Sequence, residues 1–134
     1  MHISSYFKPV QDISLPHVAA HTGKRLGEVF DAYDSENGFP DLSDVDIALF
    51  GVDDDRNAVD NQGCASASQS VREYLYRLLP GTYRPKVADL GDIMRGDSVN
   101  DTYFAVTAVV EALLELNIVP VIIGGGQDLT YAMY

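Results

Sequence analysis

The sequence predicts an α/β fold built as a three-layer α/β/α arrangement around a parallel sheet, and three observations predict it. Short apolar runs at 45–50, 87–90 and 119–123 have the length and branched-residue content of buried strands. Capped amphipathic segments at 70–79 and 101–116 lie between them, and strand–helix alternation is the pattern of parallel strands joined by crossover helices. The third run passes directly into Gly124-Gly125-Gly126, a sharp turn at the sheet edge where open α/β folds place their ligands.

Residues 1–44 are rich in Gly, Pro, Ser and Asp and are read as an N-terminal arm and loop, with room for one short helix at 26–33. The run Val45-Asp46-Ile47-Ala48-Leu49-Phe50 follows as a strand ended by Gly51, and a long polar segment separates it from the first helix. In that helix Ser70 and Glu73 have capping-box spacing, Val71, Tyr74, Leu75 and Leu78 recur at helical intervals, and Pro80-Gly81 stops it. Val87-Ala88-Asp89-Leu90 reads as a second strand. Asn100-Asp101 can cap the next helix, whose apolar face is Tyr103, Val106, Val109, Val110 and Leu113, with Glu111 and Glu115 turned to water and Asn117 as a left-handed terminator. Val119-Pro120-Val121-Ile122-Ile123 is a central parallel strand with Pro120 at its start. Residues 127–134 open a further helix. The domain division expected is therefore 1–44 as arm and loop and 45–134 as the beginning of an α/β domain.

At 134 residues, 46% hydrophobic and 22% charged, the chain has the balance of a globular protein with one packed core. The formal net charge of −11 repels phosphate backbones and anionic headgroups, so nucleic acid and membrane surfaces are poor partners and cations better ones. Cys64 is the single cysteine, which excludes an internal disulfide or a zinc cluster and makes the cytoplasm the expected compartment. No nearby basic group activates it as a nucleophile. The start has no signal-peptide pattern, and the apolar stretch 104–123 is broken by Glu111, Glu115, Asn117 and Pro120.

The glycine turn can serve as a structural corner or as part of a site. A dinucleotide fingerprint would need glycine where Leu129 stands, no phosphate-loop lysine is present, and the carboxylate of Asp128 would repel a phosphate at a helix start. Gln127 and Asp128 are instead oxygen donors suited to a hard cation such as manganese or magnesium. The competing reading, in which Asp128 caps the next helix and Gln127 bonds to backbone, stays open on these residues alone.

Here the sequence resembles the ureohydrolases, the family of arginase, agmatinase and formiminoglutamase. Ile122-Ile123-Gly124-Gly125-Gly126-Gln127-Asp128 has the shape of that family's strand and Gly-Gly-Asp-His or Gly-Gly-Gly-His motif. Ile47-Ala48-Leu49-Phe50-Gly51-Val52, the polar loop through Asp55 and Gly63, and Val71-Arg72 look like its first strand, its Gly-Val-Pro loop and the Ile-Arg of its first helix. Leu90-Gly91-Asp92-Ile93 resembles its leucine-glycine-aspartate segment. The resemblance covers 45–134 and implies an arginase/deacetylase-like fold, here incomplete. It also implies hydrolysis of a guanidino or formimino C–N bond, with urea or formamide released and two manganese ions as cofactor.

Asp53 departs from the family by standing where proline is usual, and Gln127 by standing where a histidine binds one manganese ion. The family's later aspartate motifs have no match, so no catalytic residue is assigned in this chain, and it is expected neither to bind manganese tightly nor to act alone. The candidate metal ligand is Gln127, a weak donor, with Gly124, Gly125, Gly126, Asp128, Asp53 and Asp55 as further site candidates. The alternative is a non-catalytic ureohydrolase-like binding or assembly domain that has lost a ligand, and a nucleotide-binding module stands as a third reading. A sheet stopped partway leaves an open edge, so a homo-oligomer is expected. His2, His17 and His21 are read as exposed residues without a metal.

Overall fold

The computed structural model describes residues 2–13 and 24–134. A five-stranded sheet in the order β1-β4-β3-β5, with β2 also on β4, forms its centre: β1 is Phe7–Lys8, β2 Asp31–Ala32, β3 Ile47–Val52, β4 Val87–Ile93 and β5 Val119–Ile123. Parallel pairing joins β3 to β4 and β5, and β2 to β4. β1 runs antiparallel to β4, so the sheet is mixed rather than wholly parallel. Both small strands come from the segment expected to be arm and loop. Two residues are too few for alternation to register in a sequence, and what holds β1 in place is the burial of Phe7 against Phe50.

The long strands lie where the apolar runs are, with shifted ends. Gly51 was expected to end β3, but the strand continues through Val52. A Cβ on Gly51 would stand 2.5 Å from that of Ser68, so this glycine marks a close helix–strand approach and not a terminator. β4 runs three residues past Leu90 because it contains a bulge: Leu49 pairs with Asp89 and Gly51 with Asp92, leaving one extra residue on β4. Gly91 supplies the left-handed backbone there, with φ +80.

Three α-helices among the described residues accompany the sheet. α1, Leu26–Val29, leans on the end of α2 through a 2.8 Å bond from Leu26 N–H to Leu78 O. α2 spans Ala67–Leu75, beginning three residues before the expected start, because a 3₁₀ turn over Cys64–Ser66 feeds into it. Ser70 therefore lies inside the helix instead of capping it. α3 spans Val99–Glu115 and is capped by Ser98, two residues earlier than Asn100. Ser98 Oγ accepts from Asp101 N–H, and the Asp101 carboxylate accepts from Ser98 N–H at 2.8 Å. Asn117, with φ 58, ends the helix in the left-handed region as expected.

One helix packs on each face. Val106, Val109, Val110 and Leu113 of α3 join Ala48, Phe50, Val52, Ala88, Leu90 and Ile93 in a single core. Each fully buried aliphatic side chain there contributes roughly 1.5–3 kcal/mol of transfer free energy. On the opposite face α2 inserts Arg72, fully buried. Its Nε and Nη2 donate to both oxygens of Asp89 at 2.8 Å, Nη1 to Asp92 at 2.8 Å, and Nη2 also to Gly91 O at 2.9 Å. Tyr76 adds a 2.6 Å bond to Asp89. Burial works against the Arg72 charge, but the hydrogen bonds and charge of Asp89, and then of Asp92, hold its pKa above the ordinary value. Burial and the Asp89 charge also raise the Tyr76 phenol, which stays a donor.

β5 forms one edge of the described sheet, where Val119 is 57% and Val121 40% exposed. No described helix is long and apolar enough to cross a membrane.

Candidate functional site at the carboxyl ends of the strands

β3 and β5 are parallel neighbours, so the loops leaving Val52 and Ile123 emerge together. Gly124 and Gly125 have φ +72 and +77, and each also faces a neighbour. A Cβ on Gly124 would lie 2.8 Å from that of Ala67, and one on Gly125 would lie 3.0 Å from Val52 O. Gly125 N–H bonds Cys64 O at 3.0 Å and Gly126 N–H bonds Asp54 O at 2.9 Å. Packing against the start of α2 and the end of β3 thus accounts for the turn's backbone.

Asp54 organises this end of the sheet and was not among the candidates. It is 4% exposed, and both its oxygens are used: Arg56 donates through Nε at 3.0 Å and Nη2 at 2.6 Å, and the Thr102 hydroxyl donates at 2.7 Å. Arg56 continues to the carbonyls of Gly96 and Asp97, both at 3.0 Å. The Asp54 carboxylate therefore ties the loops after β3 and β4 to the first turn of α3, and its backbone carbonyl holds the loop after β5. Burial alone would raise its pKa; hydrogen bonds from Arg56 and Thr102 outweigh that and bring it down to about 2.

A depressed carboxyl stabilises the fold fully above its unfolded value, 3.8, and loses that contribution as pH falls towards about 2. Asp54→Asn is expected to cost about 1–3 kcal/mol at pH 7, because a buried acceptor loses the charge to which Arg56 and Thr102 donate. Urea unfolding of both proteins between pH 7 and 2 checks it. The stability gap should shrink below pH 4, and a constant gap would contradict the assignment.

The predicted candidates are placed as follows. Gln127 is exposed at the mouth, at the start of a 3₁₀ helix spanning Gln127–Met133 in place of the expected α-helix. Asp128 makes no side-chain cap. Its Oδ2 accepts from Tyr103 Oη at 2.5 Å, while its buried Oδ1 has no partner. Asn57 donates to the same phenol at 3.3 Å. The bond to Asp128 is the main reason the Tyr103 pKa is raised. Asp53 forms an ion pair with Lys8 of β1, and Asp55 accepts from Gly63 N–H at 2.6 Å, shaping the loop ahead of α2. The structure thus gathers Gly124, Gly125, Gly126 and Asp128 around Asp54 and Tyr103, while Asp53 and Asp55 turn to separate partners. His2 is exposed, and His17 and His21 lie outside the described residues.

Residues 45–134 match the family model described as the arginase family. The chain belongs to the arginase family. Solved structures similar to it include a formiminoglutamase from Trypanosoma cruzi with Mn2+, at 24% identity and TM-score 0.65, covering 81% of this chain and 37% of that one. A formimidoylglutamase from Bacillus subtilis is 17% identical with TM-score 0.68, covering 88% and 38%. An arginase superfamily protein from Trypanosoma cruzi is 24% identical with TM-score 0.64, covering 81% and 37%. At these identities the likeness is one of fold. The chain spans 37–38% of the length of these proteins. No curated protein sequence matches it.

The similar formiminoglutamase from Trypanosoma cruzi holds manganese. Among the described residues of this member, no group of three His, Cys, Asp or Glu side chains is arranged to hold a metal. Gln127 offers one neutral oxygen, and Asp128 has one oxygen engaged by Tyr103 and one left unpartnered. Two such donors fall short of a manganese coordination shell, so the segment does not by itself fit the ion.

Proposed function

We propose that this arginase-family chain is the N-terminal part of a metal-dependent ureohydrolase that cleaves a guanidino or formimino C–N bond in a small substrate. The observation that carries the reading is the glycine turn at the carboxyl end of β5, with Gln127 exposed at its mouth and the unpartnered Asp128 oxygen beside it. In the whole protein, two manganese ions held mainly by residues outside this segment would supply Lewis acidity and activate water. The part of this chain is to hold the turn in position through Asp54 and Tyr103 and to offer an amide oxygen from Gln127. That formiminoglutamases are among the similar structures favours a formimino substrate and release of formamide over urea. The acidic surface and single cysteine support a cytoplasmic setting, and the exposed valines of β5 support association with further protein, including copies of itself.

Gln127 favours a second reading, a ureohydrolase-like binding or assembly domain without catalysis, because a neutral amide is a weaker donor to manganese than imidazole. Manganese content together with formamide and urea release separates the two. The whole protein supplied with manganese is expected to yield formamide from N-formimino-L-glutamate. Bound metal with neither product from that compound, agmatine or arginine would leave the non-catalytic domain. Gln127→His should raise manganese occupancy towards two ions, and equal full occupancy in both proteins would show that Gln127 is not a weakened ligand.

A further inference from the structure

Asn37 is the one asparagine in the sequence that precedes a glycine, and it stands exposed in the turn that follows β2. An asparagine so placed carries its own reaction. The backbone nitrogen of the next residue can attack the side-chain amide carbon, and glycine, without a Cβ, presents that nitrogen with least obstruction. Gly38 has φ +78, and nothing lies within 4 Å of its Cβ position. In the reaction a bond forms from Gly38 N to Asn37 Cγ while the Gly38 N–H proton passes to water, and the Cγ–Nδ2 bond breaks as ammonia leaves. Water then opens the cyclic imide at either carbonyl and gives aspartate or isoaspartate. Nothing is oxidised or reduced, and water is the co-reactant.

Against this, Asp34 holds both reacting nitrogens. Its Oδ2 accepts from Asn37 Nδ2 at 2.9 Å, the nitrogen that would leave, and its carbonyl accepts from Gly38 N–H at 3.1 Å, the nitrogen that would attack. Its Oδ1 accepts from Asn37 N–H at 2.6 Å and Glu36 N–H at 2.8 Å, which fixes the backbone between them. Reaction therefore requires the turn to open first. The turn in turn supports the core. Tyr33 and Phe39, on its two sides, stack at 5.3 Å between ring centroids, Phe39 meets Phe7 of β1 at 5.6 Å, and Phe7 meets Phe50. A carboxylate made at position 37 would face that of Asp34, and like charges at hydrogen-bond distance repel. Isoaspartate would also add one carbon to the backbone of the turn.

We propose that Asn37 is a site of spontaneous deamidation that Asp34 holds in check, and that its conversion to aspartate or isoaspartate opens the turn and loosens β1. The inference goes beyond the hydrolytic reading and does not depend on it, because neither Gln127 nor a metal takes part.

The test is peptide mass spectrometry of the protein after incubation at mildly alkaline pH, which reads each asparagine separately. In the folded protein Asn37 should convert at least roughly tenfold more slowly than in guanidinium chloride, the protection that one charge-assisted hydrogen bond gives. Asp34→Ala should lose most of that protection when folded, yet convert at the wild-type rate in guanidinium chloride. Asn57 and Asn61 should keep their wild-type rates in folded Asp34→Ala, which general unfolding would not allow. Asn37→Asp, one of the two products made directly, should open the chain around Phe7 to protease several-fold faster than in the wild type. Conversion of folded wild-type protein at the denatured rate, or of folded Asp34→Ala at the protected rate, would overturn the proposal. So would faster conversion of Asn57 and Asn61 in Asp34→Ala, or unchanged protease sensitivity in Asn37→Asp.

Discussion

Arg72→Met is expected to destabilise the protein by about 3–5 kcal/mol, a large share of the roughly 5–15 kcal/mol that holds a typical domain. The side chain is wholly buried between α2 and the sheet, and its removal leaves Asp89 and Asp92 facing apolar surroundings with no cation between them. Coulomb repulsion and lost solvation then act in the same direction. A guanidinium is required because its fork reaches both oxygens of Asp89 while another nitrogen serves Asp92. Arg72→Lys should therefore recover only part of the loss. Neutralising the acids as well, in Arg72→Met with Asp89→Asn and Asp92→Asn, should be less harmful than Arg72→Met alone, since unpaired charge is then gone. Urea unfolding at neutral pH reads all three, and a loss below about 1 kcal/mol for Arg72→Met would mean that the buried network is not a net support.

Gly91→Ala should come next in size. A left-handed backbone at a residue with a Cβ costs about 1–2 kcal/mol by itself. Here the new Cβ would also lie 2.1 Å from the Lys8 carbonyl, a backbone atom that cannot swing away without unpairing β1 from β4. The bulge has a further role. Asp89 and Asp92 are three residues apart and would point to opposite faces of a regular strand. The extra residue at Gly91 restores their parity, so both meet Arg72 while Leu90 and Ile93 both enter the α3 core. A total loss above about 2 kcal/mol is expected, with faster proteolysis of the segment around Phe7. Gly81→Ala is the control, since nothing lies within 4 Å of its Cβ position, and it should be close to neutral. Protection of the N-terminal segment and stability unchanged in Gly91→Ala would sink the argument.

The sequence is most informative where burial is one-sided and long. The face Val106, Val109, Val110 and Leu113 and the run 119–123 are legible because hydrophobic period reports directly on packing. Ser98 was passed over as a cap because Asn100 and Asp101 are themselves good cap residues; geometry alone shows that Asp101 answers Ser98. β1 and β2 are held by partners more than fifty residues away in the chain, a relation invisible in a window of their own length. The buried ion network left one readable sign, a carboxylate inside the apolar run Val87-Ala88-Asp89-Leu90, which demands a cation. Asp54 left none, since it is the middle of three aspartates and only position separates it from Asp53 and Asp55.

The Asp54 knot also bears on what binding at this mouth costs. Loops usually lose conformational freedom when they close on a ligand, and that ordering subtracts from affinity. Here the segments after β3 and β4 are already fastened through the Asp54 carboxylate to the first turn of α3, and the segment after β5 to the Asp54 backbone carbonyl. The entropy of ordering has been spent during folding, so a ligand arriving at the glycine turn meets a receptor of fixed shape, and its contacts need not offset loop closure.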